Sequence, residues 1–413
     1  MASKKLEKVF VYSSVVPAIY NDGASVRVFS NIRAYFDLNY DIEVFLFTKI
    51  KNPKIPKELK VPDICFNIIN TDTFKLNTKE KSKTLLNEKL LNRYFPKRQI
   101  IKYHLMKNLD KSDYGIHHFE YLSTANAIVG LDGFFIWSNH DIVSERHLLV
   151  QKFRREIGQG KNYLSNIFKY SVLKYIERLV VNSCRLVLTV SKYDHKYYKN
   201  KFKSKNIKLL PWSTSKENSY IKKSRKIRDG RINLLHLGST NSILTYSSLK
   251  FILKVLFNKL PSNILDNIQL TVVGNNPDAT YSNKIKKYAI SYKQVTFEGF
   301  KNNIEPYFQS NDLQIVATEY ATGIRTKIIE SFAHGLPIIS SEIGARGLYG
   351  LKNKKNILLF KNENHFAEIF NDILHNSIDL DLISANARQL YDKEYSKHVH
   401  KSKLKEFLNQ EHK

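Results

Sequence analysis

The sequence predicts an α/β protein made of two doubly wound, Rossmann-like domains in tandem. Three observations carry that expectation. Short apolar runs alternate with stretches of helical period along the chain, as parallel strands with crossover helices require. One polar and basic stretch without apolar periodicity, 213–231, interrupts the alternation. A length of 413 residues suits two cores of ordinary size.

The first half opens with the strand KVFVYSSV, a loop holding Asn21, Asp22 and Gly23, an amphipathic run from Val26 to Leu38 and the strand DIEVFLFT, a βαβ unit. DGFFIWS and RLVLTVS read as buried parallel strands. The long helical segment Tyr163 to Cys184 leads into the second of them, and NIKLLPW closes the half. These elements define a domain over 1–212, followed by the linker 213–231. A second domain, 232–395, runs INLLHLGS, TYSSLKFILKVLFNKL, IQLTVVGN, SNKIKKYAI, VTFEGF, IEPYFQS, LQIVAT, TKIIESFAHG and PIISS, with NILLF at a sheet edge. Helical segments follow at Asn364 to His375, Leu382 to Tyr395 and Lys401 to Gln410, so 396–413 reads as a C-terminal helix. No solenoid-period repeat or low-complexity tract is present.

Composition narrows the class. No apolar run reaches the ~18 residues of a membrane span, and the start MASKKLEKVFVYSS lacks the pattern of a secretory signal, so the expected location is the cytosol. Cys65 and Cys184 are too few and too widely spaced for a disulfide framework or metal motif, and both are expected as buried thiols. The formal charge of +28 draws the chain to polyanions. Lys outnumbers Arg, and no helix-turn-helix, zinc-finger spacing or aromatic-basic motif stands beside the charge, so nucleic acid is not the expected partner.

Ligands of open parallel sheets bind beyond the carboxyl ends of the strands. The loops there hold Gly23, Asn139 to Asp141, Ser191, Gly238 with Ser239, Gly274, Gly299 with Phe300, and the unit from Thr322 to Glu330. That last unit, within ATGIRTKIIESFAHGLPIISS, is the most informative. Gly323 allows close backbone approach, and Arg325 and Lys327 put two cations at a helix start whose N–H groups and dipole already favour an anion such as a diphosphate. Glu330 follows Lys327 by one turn on the same face, where its carboxylate can accept from two ribose hydroxyls. Gly335 ends the helix and Pro337 opens the next strand. The competing account is a solvated surface helix whose pair is worth only ~0.2 to 0.5 kcal/mol.

The segment GIRTKIIESFAHGLPIISSEIGARGL, with VVGNNP and VTFEGF before it and NHDIVSER and LTVSKYD in the first half, resembles the retaining family-four glycosyltransferases of the GT-B fold. The resemblance implies two Rossmann-like domains facing across a cleft. It implies a nucleotide-sugar donor on the second domain, with Arg325 and Lys327 on the diphosphate, Glu330 on the ribose, Gly299 and Phe300 beside the base, and Gly238 and Ser239 lining the phosphate pocket. Gly274, Thr322, Gly323 and Ile324 fall in the same donor loops. The first domain would bind the acceptor, with Gly23 and Arg27 near the reacting centre, His140 projecting into the cleft, and Asp141 and Ser191 on the acceptor side. Many relatives carry two glutamates separated by seven residues; here Thr322 stands at the first position.

The implied reaction moves a sugar to an acceptor hydroxyl of a glycan or lipid-linked glycan with retention. No metal or other cofactor is expected, because Arg325, Lys327 and the helix start can neutralise the departing diphosphate. Surface polysaccharide, capsule or lipopolysaccharide, is the implied product context. A nucleotide-sugar epimerase or hydrolase and a basic polyanion-binding module are the rival readings.

Several residues stay open between structure and function. His140 suits a local hydrogen bond or a cleft role, and Arg27 a surface charge or a site role, while His117 and His118 read as structural. Asp379 and Asp381 read as helix capping, and GQGK at Gly158 lacks the features of a phosphate loop. The basic segment Lys79 to Leu109 aligns Leu86, Leu90 and Tyr94 amid Lys81, Lys83, Lys89, Arg93, Lys97 and Arg98. It suits either peripheral docking on the anionic inner leaflet or a core-facing helix.

Overall fold

The computed structural model describes residues 8–19, 22–73, 86–109, 115–156, 158–160, 162–214, 231–239, 243–260, 265–274, 280–290 and 292–411. Most of the expected linker, together with Asn21, Lys79, Lys81 and Lys83, lies outside them. The chain forms two compact units, Met1–Ser215 with His400–Lys413, and Lys216–Val399.

In the first unit seven strands are ordered β3-β2-β1-β4-β5-β6-β7. They are β1 (Lys8–Ser13), β2 (Asp41–Thr48), β3 (Ile64–Asn70), β4 (Ile116–Glu120), β5 (Phe135–Asn139), β6 (Leu186–Thr189) and β7 (Ile207–Leu209). Every pairing is parallel, as in Val9 opposite Ile42 and Ile116. Side chains alternate between the sheet's faces, so Phe10, Tyr12, Phe45 and Phe47 enter one apolar layer and Val9, Val11, Ile42 and Val44 the other. The first layer is completed by α2 (Leu86–Tyr94), α3 (Arg98–Leu109), α4 (Leu122–Ala125), α5 (Val143–Glu156) and α6 (Tyr163–Ser183), through Leu91, Ile101, Leu105, Leu122, Val143, Ile176 and Val180. The opposite layer holds α1 (Gly23–Phe36), and the helix Lys397–Glu411 brings Leu404, Phe407 and Leu408 back onto it.

Helix α1 begins earlier than apolar periodicity alone places it. The Asp22 carboxylate accepts from the N–H groups of Ala24 and Ser25, both at 2.9 Å, and this cap opens the helix at Gly23. Asp379 likewise caps Leu380–Glu394, accepting from Leu382 N–H at 2.9 Å.

In the second unit six parallel strands are ordered β10-β9-β8-β11-β12-β13. They are β8 (Ile232–Leu237), β9 (Ile268–Val273), β10 (Val295–Gly299), β11 (Leu313–Val316), β12 (Ile338–Ser341) and β13 (Leu358–Phe360). The helix α8 (Ile243–Lys259) buries Leu249, Ile252, Leu253 and Leu256 against this sheet. In both units the strand order reverses beside the first strand, between β1 and β4 and between β8 and β11. Those reversals open the crevices in which such sheets receive ligands.

One expectation is corrected here, and one open alternative meets its packing. Cys184 is buried, but Cys65 is exposed on the edge strand β3. In the described part of 79–109 the core-facing alternative is the one observed. Leu90 and Tyr94 pack against the core, and Arg98 is 1 % exposed, with its Nε donating to the Asn126 carbonyl at 3.1 Å. Apolar burial there outweighs any gain from exposing the stripe.

Candidate functional site

The second unit brings Gly238, Gly274, Gly299 and the segment from Thr322 to Glu330 to the strand ends around the β8/β11 reversal. Gly238 follows β8 at φ +154°, and a Cβ on it would lie 2.9 Å from Lys327 Nζ and 3.1 Å from Thr245 Oγ1. Lys327 Nζ donates to the Leu237 carbonyl, which anchors the ammonium at the end of β8. Gly274, after β9, packs so closely that a Cβ there would fall 1.8 Å from the Gly238 carbonyl oxygen. Gly274 N–H donates to Gly299 O at 2.8 Å, tying the ends of β9 and β10. Gly299 has φ +69°, and Phe300 beside it is half exposed. Ser239 is also exposed.

The loop after β11 is stapled from below. Ser341 Oγ accepts from Thr318 N–H at 3.1 Å and from Gly344 N–H at 3.0 Å, while donating to the Thr318 carbonyl at 2.6 Å. Thr322 is buried, Gly323 has φ +62°, and Ile324 is half-buried. Arg325 donates to the Thr322 carbonyl, and Arg346 to the Ala321 carbonyl at 2.6 Å. Arg346 lies in the GARGL stretch, but sequence reasoning gave it no role; a cation following a small-residue turn is too common a pattern to single out. The helix Thr326–His334 then starts at Arg325 without a side-chain cap, which leaves its first N–H groups available to an anion.

Electrostatics at this mouth are unusual. Burial, with Arg325 close by, lowers Lys327 to about 8, against the pull of Glu330. Burial raises Glu330 to about 7, with Lys327 opposing. The site therefore holds two cations and an acid whose charges are poorly solvated until a ligand arrives. His236, beneath them on β8, is held neutral by burial at about 3, and its Nδ1 meets the Ile315 carbonyl at 3.2 Å. Glu319 lies three residues before Thr322 and accepts from Ser247 Oγ at 2.6 Å.

A second cluster forms in the first unit at the ends of β4 and β5. Glu120 is wholly buried and accepts from Asn31 Nδ2 at 2.6 Å. Its carboxylate lies 2.8 Å from His140 Nε2 and 3.4 Å from His118 Nε2. His118 is held from behind by Tyr35 OH at 2.8 Å from Nδ1. His140 also stacks on Tyr121 at 3.8 Å between ring centroids, and Tyr121 adopts φ +69°, a costly backbone for a bulky residue. Burial alone would raise the Glu120 carboxyl, yet the nearby His118 and the hydrogen-bonded His140 hold it well below the carboxylate range. Burial lowers His140, with Glu120 pulling the other way. His117, by contrast, is core. It stacks on Phe10 and meets Tyr12 OH at 3.2 Å.

The acceptor-side expectations fare unevenly. Arg27 is fully buried, donating to the Pro211 carbonyl at 2.8 Å and lying 3.3 Å from His400 Nδ1, so it is no surface charge. Its charge still reaches His140. Gly23 offers its carbonyl to Trp212 Nε1 at 3.1 Å. Asp141 pairs with Arg146 at 2.8 Å. Ser191 is corrected: it is wholly buried and caps α7 (Lys192–Phe202) by accepting from Asp194 N–H at 3.2 Å, leaving no surface for an acceptor. Glu120, Asn31 and Tyr121 were missed. The available signal was an acid ending the apolar run IHHFE, a buried charge that demands partners.

Residues 231–376 match the family described as glycosyl transferases group 1. A curated relative from Haemophilus influenzae, "Uncharacterized glycosyltransferase", is 22 % identical over 57 % of this chain and 63 % of its own length, so the chain spans less than two thirds of that relative. Among solved structures, sucrose-phosphate synthase from Thermosynechococcus elongatus superposes with a TM-score of 0.72 at 15 % identity, covering 98 % of both chains. WaaG, a glycosyltransferase involved in lipopolysaccharide biosynthesis, gives 0.66 at 15 % over 95 % and 98 %. Anabaena Alr3699/HepE in complex with UDP and glucose gives 0.66 at 14 % over 98 % and 99 %. The chain thus has the α/β GT-B fold and resembles the group 1 glycosyltransferases.

Proposed function

We infer that this chain is a glycosyltransferase that binds a nucleoside-diphosphate-sugar on its second unit and moves the sugar to an acceptor hydroxyl. One observation carries this reading: the uncapped mouth of the helix Thr326–His334, flanked by Arg325 and Lys327 with Glu330 one turn on, at the β8/β11 reversal. The helix N–H groups and both cations suit a diphosphate, and Glu330 suits a ribose diol. The UDP and glucose held by the similarly folded HepE support the same ligand class.

In the reaction the bond between the anomeric carbon and the diphosphate oxygen breaks as the acceptor oxygen bonds to that carbon. Charge gathers on the leaving diphosphate, where Arg325, Lys327 and the helix mouth stabilise it without a metal. With retention, a leaving phosphate oxygen takes the acceptor's proton on the same face, and His140 orients the centre instead of acting as base. Gly238, Ser239, Gly274, Gly299, Phe300, Thr322, Gly323 and Ile324 shape the donor loops. A glycan or lipid-linked glycan of surface polysaccharide, capsule or lipopolysaccharide, is the proposed acceptor, a context that WaaG's lipopolysaccharide role supports.

A thermal-shift panel of nucleoside diphosphates and their sugars identifies the donor, followed by turnover of Arg325→Ala and Lys327→Ala. Each substitution lowers turnover by ~10² to 10³, the range for loss of one preorganised charge-stabilising group. Near-normal turnover in both variants overturns the assignment, and turnover of the donor at the full rate without acceptor marks a hydrolase, if nucleoside diphosphate accumulates, or an epimerase, if an isomeric nucleotide-sugar does.

A further inference from the structure

The first two turns of α6 hold Tyr163, Leu164, Ile167 and Phe168 outside the core, at 55, 74, 38 and 61 % exposure. Their spacing places them on one stripe. Farther along the same helix Val172, Ile176, Val180 and Val181 enter the core, so the helix changes from a buried to an outward apolar face. A single exposed apolar side chain needs no explanation, but four in six residues form a patch with a use.

Cations frame the patch. The Arg155 guanidinium sits 4.7 Å from the Tyr163 ring centroid, and Lys174 Nζ lies 5.7 Å from that of Tyr170. Over 143–178 the sequence has eight Lys and Arg against Glu145, Glu156 and Glu177, the last of which is buried. Tyr175, also exposed, donates to Asn87 Oδ1 at 3.1 Å, which joins this face to α2 with its exposed Lys89 and Arg93.

We propose that this stripe of α6 seats the first unit on a bilayer surface rich in anionic lipid, with the four side chains entering the acyl boundary and Arg155, Lys169 and Lys174 meeting the head groups. Apolar insertion and basic attraction together make the two signals that stable peripheral binding needs. A second copy of the chain is the weaker occupant, because it would press one basic rim against another in a protein of charge +28. The proposal is independent of the donor reading.

Co-sedimentation of the full chain with vesicles of phosphatidylglycerol and phosphatidylcholine, against phosphatidylcholine alone, tests it at low and high salt. The chain sediments with the anionic vesicles, and high salt weakens that binding. Leu164→Ser with Phe168→Ser lowers the bound fraction at least tenfold with unchanged circular dichroism, as loss of apolar insertion requires. Ile290→Ser, at an 84 % exposed position of the second unit, binds like wild type. Absence of anionic binding, equal binding to neutral vesicles, an unaffected double variant or an equal loss in Ile290→Ser overturns the proposal. So does self-association, seen by light scattering, that the double variant abolishes. UDP-induced thermal shift, read in parallel, separates failure of the donor reading from failure of this one.

Discussion

His140 and Glu120 meet at 2.8 Å between Nε2 and Oε2, with the carboxylate fully buried and the imidazole showing 11 % of its side-chain surface. A carboxylate at Nε2 selects the tautomer protonated there and leaves Nδ1 as an acceptor. Burial keeps His140 below the usual histidine range, so the ring is neutral at neutral pH. Glu120→Gln preserves shape while removing the charge that fixes this tautomer, and turnover falls by about tenfold to a hundredfold, as for other outer-shell carboxylates. Donor affinity, which the proposed function assigns to the second unit, stays unchanged. An equal loss of both in a calorimetric and kinetic comparison would show that Glu120 serves the fold alone.

Gly274 and Gly238 predict two different failures. A methyl on Gly274 meets the Gly238 backbone carbonyl at 1.8 Å, which only separation of the two loops relieves. Gly274→Ala therefore costs at least ~1 to 3 kcal/mol, the range for overpacking, and lowers Tm by several degrees. A methyl on Gly238 meets Lys327 Nζ at 2.9 Å, and φ +154° strains any side chain at that position, so Gly238→Ala also lowers Tm but in addition weakens nucleoside diphosphate binding about tenfold, the ~1.4 kcal/mol of one displaced charged contact. Differential scanning calorimetry with and without UDP separates them, and a Gly274→Ala protein of wild-type Tm contradicts the packing described.

The second-unit loops were legible because their information is local: a helix start, two cations, an acid one turn on and glycines at strand ends all lie in short windows. The first-unit cluster was not, since Asn31, Glu120 and His140 come from three segments whose proximity depends on β4 and β5 pairing in parallel. Ser191 shows the opposite error. Its place after a strand suggested a ligand loop, whereas Asp194 three residues on marks an N-cap. The stripe of 79–109 left two readings open because Leu90 and Tyr94 carry the same helical period whether they face lipid or core.

Glu177 makes stability depend on pH. It is buried, bonded to Ser144 Oγ at 2.6 Å and Tyr198 OH at 3.2 Å, and burial raises its carboxyl to about 7. The folded state therefore binds a proton that the unfolded chain releases above its ordinary value, so this group's contribution falls as pH rises between the two values. Glu177→Gln removes that slope. Its Tm relative to wild type rises from pH 5 to pH 8, and parallel Tm curves would refute the assignment.

Lys327 gives the sharpest test of the anion site. Unliganded, it is held at about 8 by burial and by Arg325, so it begins to lose its proton just above neutrality. A diphosphate beside it favours the charged form and raises that value in the complex. Between the two values binding must take up a proton, and linkage then makes the dissociation constant for UDP rise by up to tenfold per pH unit above about pH 8. Below pH 8 Lys327 contributes no such slope. Lys327→Arg carries a charge that does not titrate, so its affinity stays flat across the same range. Calorimetry in buffers of different ionisation enthalpy counts the proton directly. A wild-type affinity unchanged from pH 7.5 to 9.5, or a slope that persists in Lys327→Arg, would place the diphosphate away from this ammonium.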